Sequence, residues 1–575
     1  MEEVKLVQLS PNHKEIVVKY PESTSNAAKR SHWSKNCDFV LSFLGYTIGP
    51  ANIWRFPYLC AKNGGAVFLI PFAIFMLLFG YPLTLLELSL GQYSGKSAYD
   101  VWNICPALKG MGIAMNGISA IFGMYHTMIL SWILYYLYHS FLTPLPWTNC
   151  DNSWNTEHCI VSHRITVNTT NSTDTNSTLS GLGNNLLKMS SGLEEVGTVQ
   201  WHLVVTLAVG WILIFCCIIK GIKTVGKVVY VTAIGPFILI TIIMIRAVTL
   251  PGAIIGIEYY IIPDFSKLAD IQVWVQALLQ IFYSMGIGWG AFITLASYNR
   301  FDSNVYRNTV LFCIVGEGTS FYAGFVVFSV MGFMSVNTDK PVDEVAAAGP
   351  GLAFVTYPEA LSQMPLPQLW SVLFFLMLLL VVLDSLFVSL EIILTAIIDV
   401  IPTATTKTRI LVTAIVCCLM FLGNILYTTQ GGIYMFQLVD WYMASISVFI
   451  ITFLECIVVA WIYGVERFFG DIELMTGRRP SVVMNILWRF VTPIILVTIF
   501  IFTLIGFKPP TYGDYTYPWF TGYIGWSIAL VTSIPIPVWI IKELLNHEGT
   551  LVQVTNQTIH YLKGLSQRSL KPDQI

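Results

Sequence analysis

Long apolar runs follow one another along the chain from about residue 38 onwards. A helix needs about 20 mostly apolar residues to cross a bilayer, and twelve runs reach that length. The strands of a membrane barrel would be about ten residues long and alternate in polarity, which these runs do not. The pattern therefore predicts an all-α polytopic membrane protein with twelve transmembrane helices. The predicted spans 1 to 12 are 38–61, 66–90, 111–141, 202–220, 229–247, 273–297, 307–334, 368–398, 410–427, 434–463, 486–506 and 520–543.

The composition supports this fold class. Of the 575 residues, 55% are hydrophobic and only 11% are charged, whereas about 25% is usual for a soluble domain. So few polar side chains could not cover the surface of a soluble protein, and a soluble enzyme is therefore excluded. The charge is nearly balanced, with 31 Lys and Arg against 33 Asp and Glu. A nucleic-acid partner would require a basic surface, so no nucleic acid is expected to bind. The high apolar content makes lipid the expected environment.

The polar ends of the chain predict its topology. Residues 1–36 are polar and rich in lysine, and positive charge beside the first span favours a cytoplasmic N-terminus. An even number of spans returns the C-terminus to the same side. We therefore predict a cytoplasmic tail at 1–36, a twelve-span domain at 37–543 and a second cytoplasmic tail at 544–575. No feature of the sequence predicts an oligomer.

One long loop, 142–201, falls on the external side in this topology. Three sequons, at Asn168, Asn171 and Asn176, lie within nine residues of it, which predicts glycosylation and a plasma-membrane location. Only Cys150 and Cys159, of the eleven cysteines, are predicted to be external. An oxidising compartment favours a disulfide bond between them.

Two spans contain glycine and proline where a continuous helix would be expected. Span 1 carries GYTIGPAN at 45–52, and span 6 carries SMGIGWG at 284–290. These residues disfavour a helix, although a tolerated kink or close packing would also account for them. Their similar depth, five spans apart, favours a five-plus-five inverted repeat with broken helices 1 and 6 at a binding site.

Unwound helices expose backbone groups that can bind a ligand. The N–H groups at the start of a half-helix suit a carboxylate, and freed carbonyl and hydroxyl oxygens suit Na⁺. Unpaired backbone groups are tolerated at mid-membrane only where they line such a site. The two breaks therefore predict a site for a small zwitterion and a cation.

Motifs that occur in order from about Trp33 to Lys542 resemble the sodium:neurotransmitter symporter family. They lie at 52–58, 63–65, 87–92, 220–230, 296–299, 357–360 and 383–385. Within the family, Trp289 and the segment 429–440 are most similar to the glycine transporters, with the broad neutral amino-acid branch also close. The resemblance implies that the protein is not an enzyme but a sodium-coupled symporter, which takes up a small neutral amino acid by alternating access.

The resemblance also implies a substrate pocket. Gly49 stands where monoamine transporters place an acid, and it leaves room for the carboxylate of an amino acid. Tyr125 is expected to hydrogen-bond that carboxylate, although a core aromatic is the plainer interpretation. The neighbouring His126 is expected to be a packing residue. The expected substrate-binding residues are Tyr46, Gly49, Tyr125, Tyr283, Ser284, Gly286 and Trp289.

Two sodium sites are implied in the same way. One would use the carbonyls of Gly45, Ile48 and Val381 with the side chains of Asp384 and Ser385. The other would use Thr47, Asn52 and Ser284. Asp384 is an acid in an apolar span, which is costly unless it is paired or ligating. A buried, protonated structural aspartate is the alternative.

Charged residues on either side of the pocket are expected to form gates that break once per cycle. Exposed ion pairs suit this task because each contributes only about 0–1 kcal/mol. The expected gate residues are Arg55 and Asp440 on the outer side, and Arg30, Trp33 and Asp399 on the inner side. Two other intramembrane acids, Glu87 and Glu455, are given no transport role.

Departures from the family pattern leave chloride dependence open. Phe72 and Gly316 stand where a chloride-binding Tyr and an Asn are usual, and Pro50-Ala51 replaces Leu-Gly. The chloride-site residues that remain are Gln280, Ser284 and Ser320. Either the new acid Glu317 replaces the charge of chloride, or the site is degraded. Because these departures affect both the first sodium site and the chloride site, the alternative function is a transport-poor relative that acts as an amino-acid sensor or partner subunit.

Overall fold

The computed structural model describes residues 32–152, 154–155, 159–160, 175–176, 185–345, 351–401, 405–443, 446–512 and 515–546. Arg30 and the sequons at Asn168 and Asn171 lie outside these ranges, and only the backbone is described at Cys159 and Asn176. Cys150 is disulfide-bonded. Its pairing with Cys159 and the glycosylation of the loop remain predictions.

Helices form almost all of the regular structure, which confirms the all-α fold class. Nine helical segments in the described ranges are long and apolar enough to cross a membrane. A tenth span bends by 44° between Trp519–Ser533 and Pro535–Asn546. The nine are Gly65–Ser94, Pro106–His139, Trp201–Ile218, Ile222–Ala247, Val305–Thr338, Pro367–Val400, Thr406–Thr428, Val482–Ile505 and the segment Gly432–Thr476, in which helices are described on either side of 444–445.

The two remaining spans, 1 and 6, are broken helices, as the sequence predicted. Span 1 consists of an α-helix at Asn36–Thr47, a turn at Ile48 and Gly49, a π-helix at Ala51–Arg55 and an α-helix at Phe56–Lys62. Span 6 consists of α-helices at Ile271–Met285 and Ala291–Ala296, joined by a non-helical turn.

Shorter elements connect the spans. Two pairs of two-residue strands are present in the described residues. Strands β1, Cys159–Ile160, and β2, Thr175–Asn176, are parallel, and strands β3, Thr511–Tyr512, and β4, Tyr515–Thr516, are antiparallel. The connecting helices are Val101–Ile104, Ala253–Ile261, Phe265–Ala269, Val342–Val345, Leu352–Thr356 and Tyr357–Ser362.

Burial separates inner from outer spans. In the most apolar part of span 8, Pro367–Val400, 72% of residues are buried, against 22% in span 9, Thr406–Thr428. Span 8 packs along span 3 and against the first half of span 1. Apolar side chains left exposed on the outer spans suit lipid as their neighbour. Span 8, the most buried of these helices, therefore lies against both span 3 and the first half of span 1.

Candidate substrate and ion site

The turn of span 6 has a backbone that glycine adopts far more readily than other residues. Gly286, Gly288 and Gly290 have φ angles of 68°, 80° and 83°, in the region where a side chain is strained. The freed amide of Gly288 donates to Glu87 Oε1 of span 2 at 2.8 Å. Glu87 therefore pairs with the unwound backbone, which agrees with a structural role for this acid.

The turn of span 1 is joined to span 7 by Asn52, which is fully buried. Its side-chain oxygen accepts from the amide of Gly49 at 2.9 Å. Its amide nitrogen donates to Ser320 Oγ at 2.8 Å and to the carbonyl of Gly316 at 3.3 Å. The same side chain thus shapes the break and fixes it to a neighbouring helix.

The ligands predicted for one sodium site meet where span 1 faces span 8. A Cβ atom on Gly45 would lie 2.1 Å from Asp384 Oδ2, so the carboxylate rests directly against this glycine. A Cβ on Gly49 would lie 3.4 Å from Ser385 Oγ. Ser385 Oγ also lies 3.5 Å from the carbonyl of Val381. Ile48, whose carbonyl completes the predicted set, forms the turn between the two glycines.

Asp384 is 2% exposed, and its two oxygens differ in their surroundings. Oδ1 accepts from the hydroxyl of Thr232 in span 5 at 2.5 Å. Oδ2 has no hydrogen-bond partner among the described residues. A buried carboxylate oxygen without a partner is costly, and a cation bound there would remove that cost.

Two of the residues predicted for the other sodium site and for chloride, Ser284 and Ser320, bond to Glu317. The Ser284 hydroxyl donates to Glu317 Oε1, and the Ser320 hydroxyl donates to Oε2 at 3.2 Å. Thr47 Oγ1 would lie 3.3 Å from a Cβ on the adjacent Gly316. The new acid therefore occupies the space between the two serines and lies beside the predicted sodium ligands. Gln280 instead donates to the carbonyl of Ala51 at 2.9 Å.

Aromatic side chains from spans 1, 3 and 6 line the centre of the bundle. A Cβ atom on Gly286 would lie only 2.1 Å from the Tyr46 hydroxyl, so the tyrosine packs directly against this glycine. Ser119 Oγ of span 3 donates to the carbonyl of Trp289 at 3.1 Å. The Tyr125 ring meets Phe436 of span 10 edge-on, with ring centroids 5.5 Å apart.

Residues 30–547 match the sodium:neurotransmitter symporter family. The chain belongs to this family. The protein is therefore a multi-pass membrane transporter of a sodium-coupled family and not an enzyme.

Individual relatives are named as transporters of creatine or of GABA. The sodium- and chloride-dependent creatine transporter 1 of Bos taurus is 42% identical over 571 residues, covering 96% of this chain and 90% of the relative. The sodium- and chloride-dependent GABA transporter 2 of Mus musculus is 41% identical over 548 residues, covering 94% of this chain and 91% of the relative. These relatives are not the glycine transporters to which Trp289 and 429–440 pointed.

The predicted outer gate of this symporter is arranged around an aromatic ring. The Arg55 guanidinium carbon lies 3.6 Å from the centroid of the Tyr283 ring. The Tyr283 hydroxyl donates to the backbone carbonyl of Asp440 at 3.3 Å. An ion pair between Arg55 and Asp440 was expected, but the contact found between spans 1, 6 and 10 runs through Tyr283.

On the predicted inner side, Trp33 is buried against the end of span 6. Its indole N–H donates to the carbonyl of Leu295, and its amide donates to the carbonyl of Tyr298, both at 3.2 Å. The Tyr298 hydroxyl donates to Glu391 Oε1 at 3.2 Å, and Glu391 pairs with Arg409 at 2.7 Å. The predicted partner of Asp399, Arg30, lies outside the described ranges.

Sequence reasoning missed three members of these networks, Thr232, Glu391 and Arg409. The one signal for Glu391 was an acid in an apolar span, seven residues after Asp384. Thr232 gave no signal, because threonines occur throughout these spans and most donate to their own helix, as Thr413 does to the carbonyl of Arg409.

Proposed function

We propose that this protein takes up a small zwitterion with a free carboxylate, coupled to sodium, by alternating access at the plasma membrane with both termini in the cytoplasm. The two broken helices and the open position at Gly49 support such a substrate. Creatine and GABA, which the relatives' names give, are small zwitterions, and so is the neutral amino acid that the sequence suggested. The substrate class is therefore defined by the carboxylate rather than by an α-amino group.

The buried Oδ2 of Asp384, left without a partner beside the break of span 1, is the observation that carries the sodium coupling. A cation at this point would bind the carboxylate and the freed carbonyls of the turn together. Sodium would then join span 1 to span 8, and its release would separate them. Each sodium ion that crosses 100 mV contributes about 2.3 kcal/mol.

The proposal is tested by uptake of labelled creatine, GABA and glycine into cells, in sodium medium and with sodium replaced by choline. We expect accumulation of at least one compound that disappears in choline. Specific binding without sodium-driven accumulation would reject transport and favour the sensor. Untransfected cells provide the background.

We further propose that Glu317 replaces chloride in this symporter. Its carboxylate is held by the hydroxyls of Ser284 and Ser320. Ser284 is itself a predicted sodium ligand, and Asn52, another, donates to Ser320. A fixed negative charge at this point would attract the cation without a mobile anion. The relatives are named as chloride-dependent, so this chain would differ from them.

Replacement of chloride by gluconate tests the role of Glu317. Wild-type uptake should persist, because the charge belongs to the protein. Glu317→Gln removes the charge but keeps the size, and we expect it to lose uptake in gluconate. Recovery of that variant in chloride would strengthen the proposal, whereas wild-type uptake that falls to background in gluconate would reject it.

A further inference from the structure

We propose that His126 recognises the carboxylate of the substrate by donating a hydrogen bond from Nε2. The inference rests on the proposed function, and it names a residue that the sequence suggested was only packing. His126 lies in span 3, directly after Tyr125. It is 5% exposed.

The His126 ring is placed toward the break in span 6. Ser119, Phe122 and His126 are three and four residues apart, so they share one face of the helix. Ser119 binds the carbonyl of Trp289, and the Phe122 ring meets the Trp289 indole with centroids 4.8 Å apart. His126 stacks on Phe122 at 4.4 Å. This face of span 3 therefore lies beside the unwound segment of span 6.

Two polar atoms, one on this face of span 3 and one on the turn of span 6, have no hydrogen-bond partner in the described part of the chain. They are His126 Nε2 and Trp289 Nε1, both buried. A buried polar group left unpaired costs about 1–3 kcal/mol, so packing alone does not account for a histidine here. Indole N–H is only a donor, so a ligand that satisfies this pair of atoms must bring acceptors. A carboxylate brings two.

Tyr125, the residue first expected to bind the carboxylate, faces elsewhere. Its ring packs against Phe436 of span 10 and interacts with the Asp440 side chain. Those contacts belong to the outer gate. His126 is turned by about 100° on the helix and stacks face to face on Phe122, whereas Tyr125 meets Phe122 only edge-on.

Two variants give opposite expectations for recognition and for packing. His126→Phe keeps an aromatic ring to stack on Phe122 but has no donor. His126→Gln keeps an N–H donor at a similar reach but loses the ring. If His126 only packs, the Phe variant works and the Gln variant fails; if it binds substrate, the order is reversed.

Initial rates of sodium-driven uptake of labelled creatine, GABA and glycine, corrected for surface expression, give KM for each variant. A hydrogen bond to a charged group contributes about 1.5–3 kcal/mol, so His126→Phe should raise KM roughly 10- to 100-fold. His126→Gln should recover most of that loss, and the sodium dependence should stay unchanged in both. His139→Phe, the same exchange later in span 3 where the ring packs against Tyr135, is the matched control and should change KM less than His126→Phe.

A wild-type KM in His126→Phe would overturn the inference while leaving the transport proposal intact. Absence of uptake in the wild-type protein would instead reject the transport proposal itself. If neither variant reached the surface, His126→Asn and displacement of labelled GABA from wild-type membranes by its carboxamide would decide the role: displacement as strong as that by GABA would overturn carboxylate recognition, and weaker displacement would support it.

Discussion

At the scale of single residues, the sodium proposal depends on the hydrogen bond between Thr232 and Asp384. The Thr232 hydroxyl satisfies one carboxylate oxygen and leaves the other directed at Gly45. The threonine therefore orients the carboxylate without being one of the predicted sodium ligands.

Asp384→Ala should abolish sodium-dependent uptake while surface expression is retained, because the charged ligand is lost. Thr232→Val keeps the shape but removes the hydrogen bond, which contributes about 1.5–3 kcal/mol to a charged partner. We expect the sodium concentration for half-maximal uptake to rise several-fold in this variant. Sodium titration of uptake measures both effects.

Thr503→Val provides the control for this pair. Thr503 lies in span 11, and its hydroxyl donates to the carbonyl of Ile499 in its own helix. Its sodium titration should match the wild type. Full uptake by Asp384→Ala, or an unchanged titration in Thr232→Val, would show that the contact does not serve sodium binding.

At the scale of elements, the break in span 6 depends on Gly286. A Cβ there would lie 2.1 Å from the Tyr46 hydroxyl, and the φ angle of 68° strains any other residue. The turn and the packing of span 1 against span 6 therefore require glycine for two independent reasons.

Gly286→Ala should reduce uptake roughly tenfold or more, since a left-handed non-glycine residue alone costs about 1–3 kcal/mol. Adding Tyr46→Phe removes the clashing hydroxyl, so the double variant measures the part of the loss due to contact. Gly318→Ala, where a Cβ would meet no atom within 4 Å, should transport normally. Wild-type uptake by Gly286→Ala would mean that the turn is not needed in this form.

These elements also show what the sequence could predict. Both breaks were predictable, because glycine and proline act on the backbone where they stand. The bond from Thr232 to Asp384 was not, because it joins residues 152 positions apart and depends on how spans 5 and 8 pack. The same holds for His126, whose contact with Phe122 is local but whose position beside Trp289 depends on span 6.

At the scale of the whole molecule, the all-α polytopic fold class followed from apolar length alone, and the structure agrees with it. The family followed from the motifs, and the comparison confirmed it. The branch did not follow, because substrate choice depends on a few side chains at the centre rather than on the motifs that surround them. The inverted repeat remains a prediction.

The contact between Arg55 and the face of Tyr283 has a consequence for how readily the outer side opens. Separating two buried opposite charges would cost several kcal/mol, whereas a cation leaving an aromatic face gives up about 0.5–2 kcal/mol. Thermal motion can supply that amount frequently, so the extracellular vestibule would fill with water and exclude it again without waiting for a counter-ion. When the arginine leaves, the Asp440 carboxylate keeps the hydrogen bond from Tyr125.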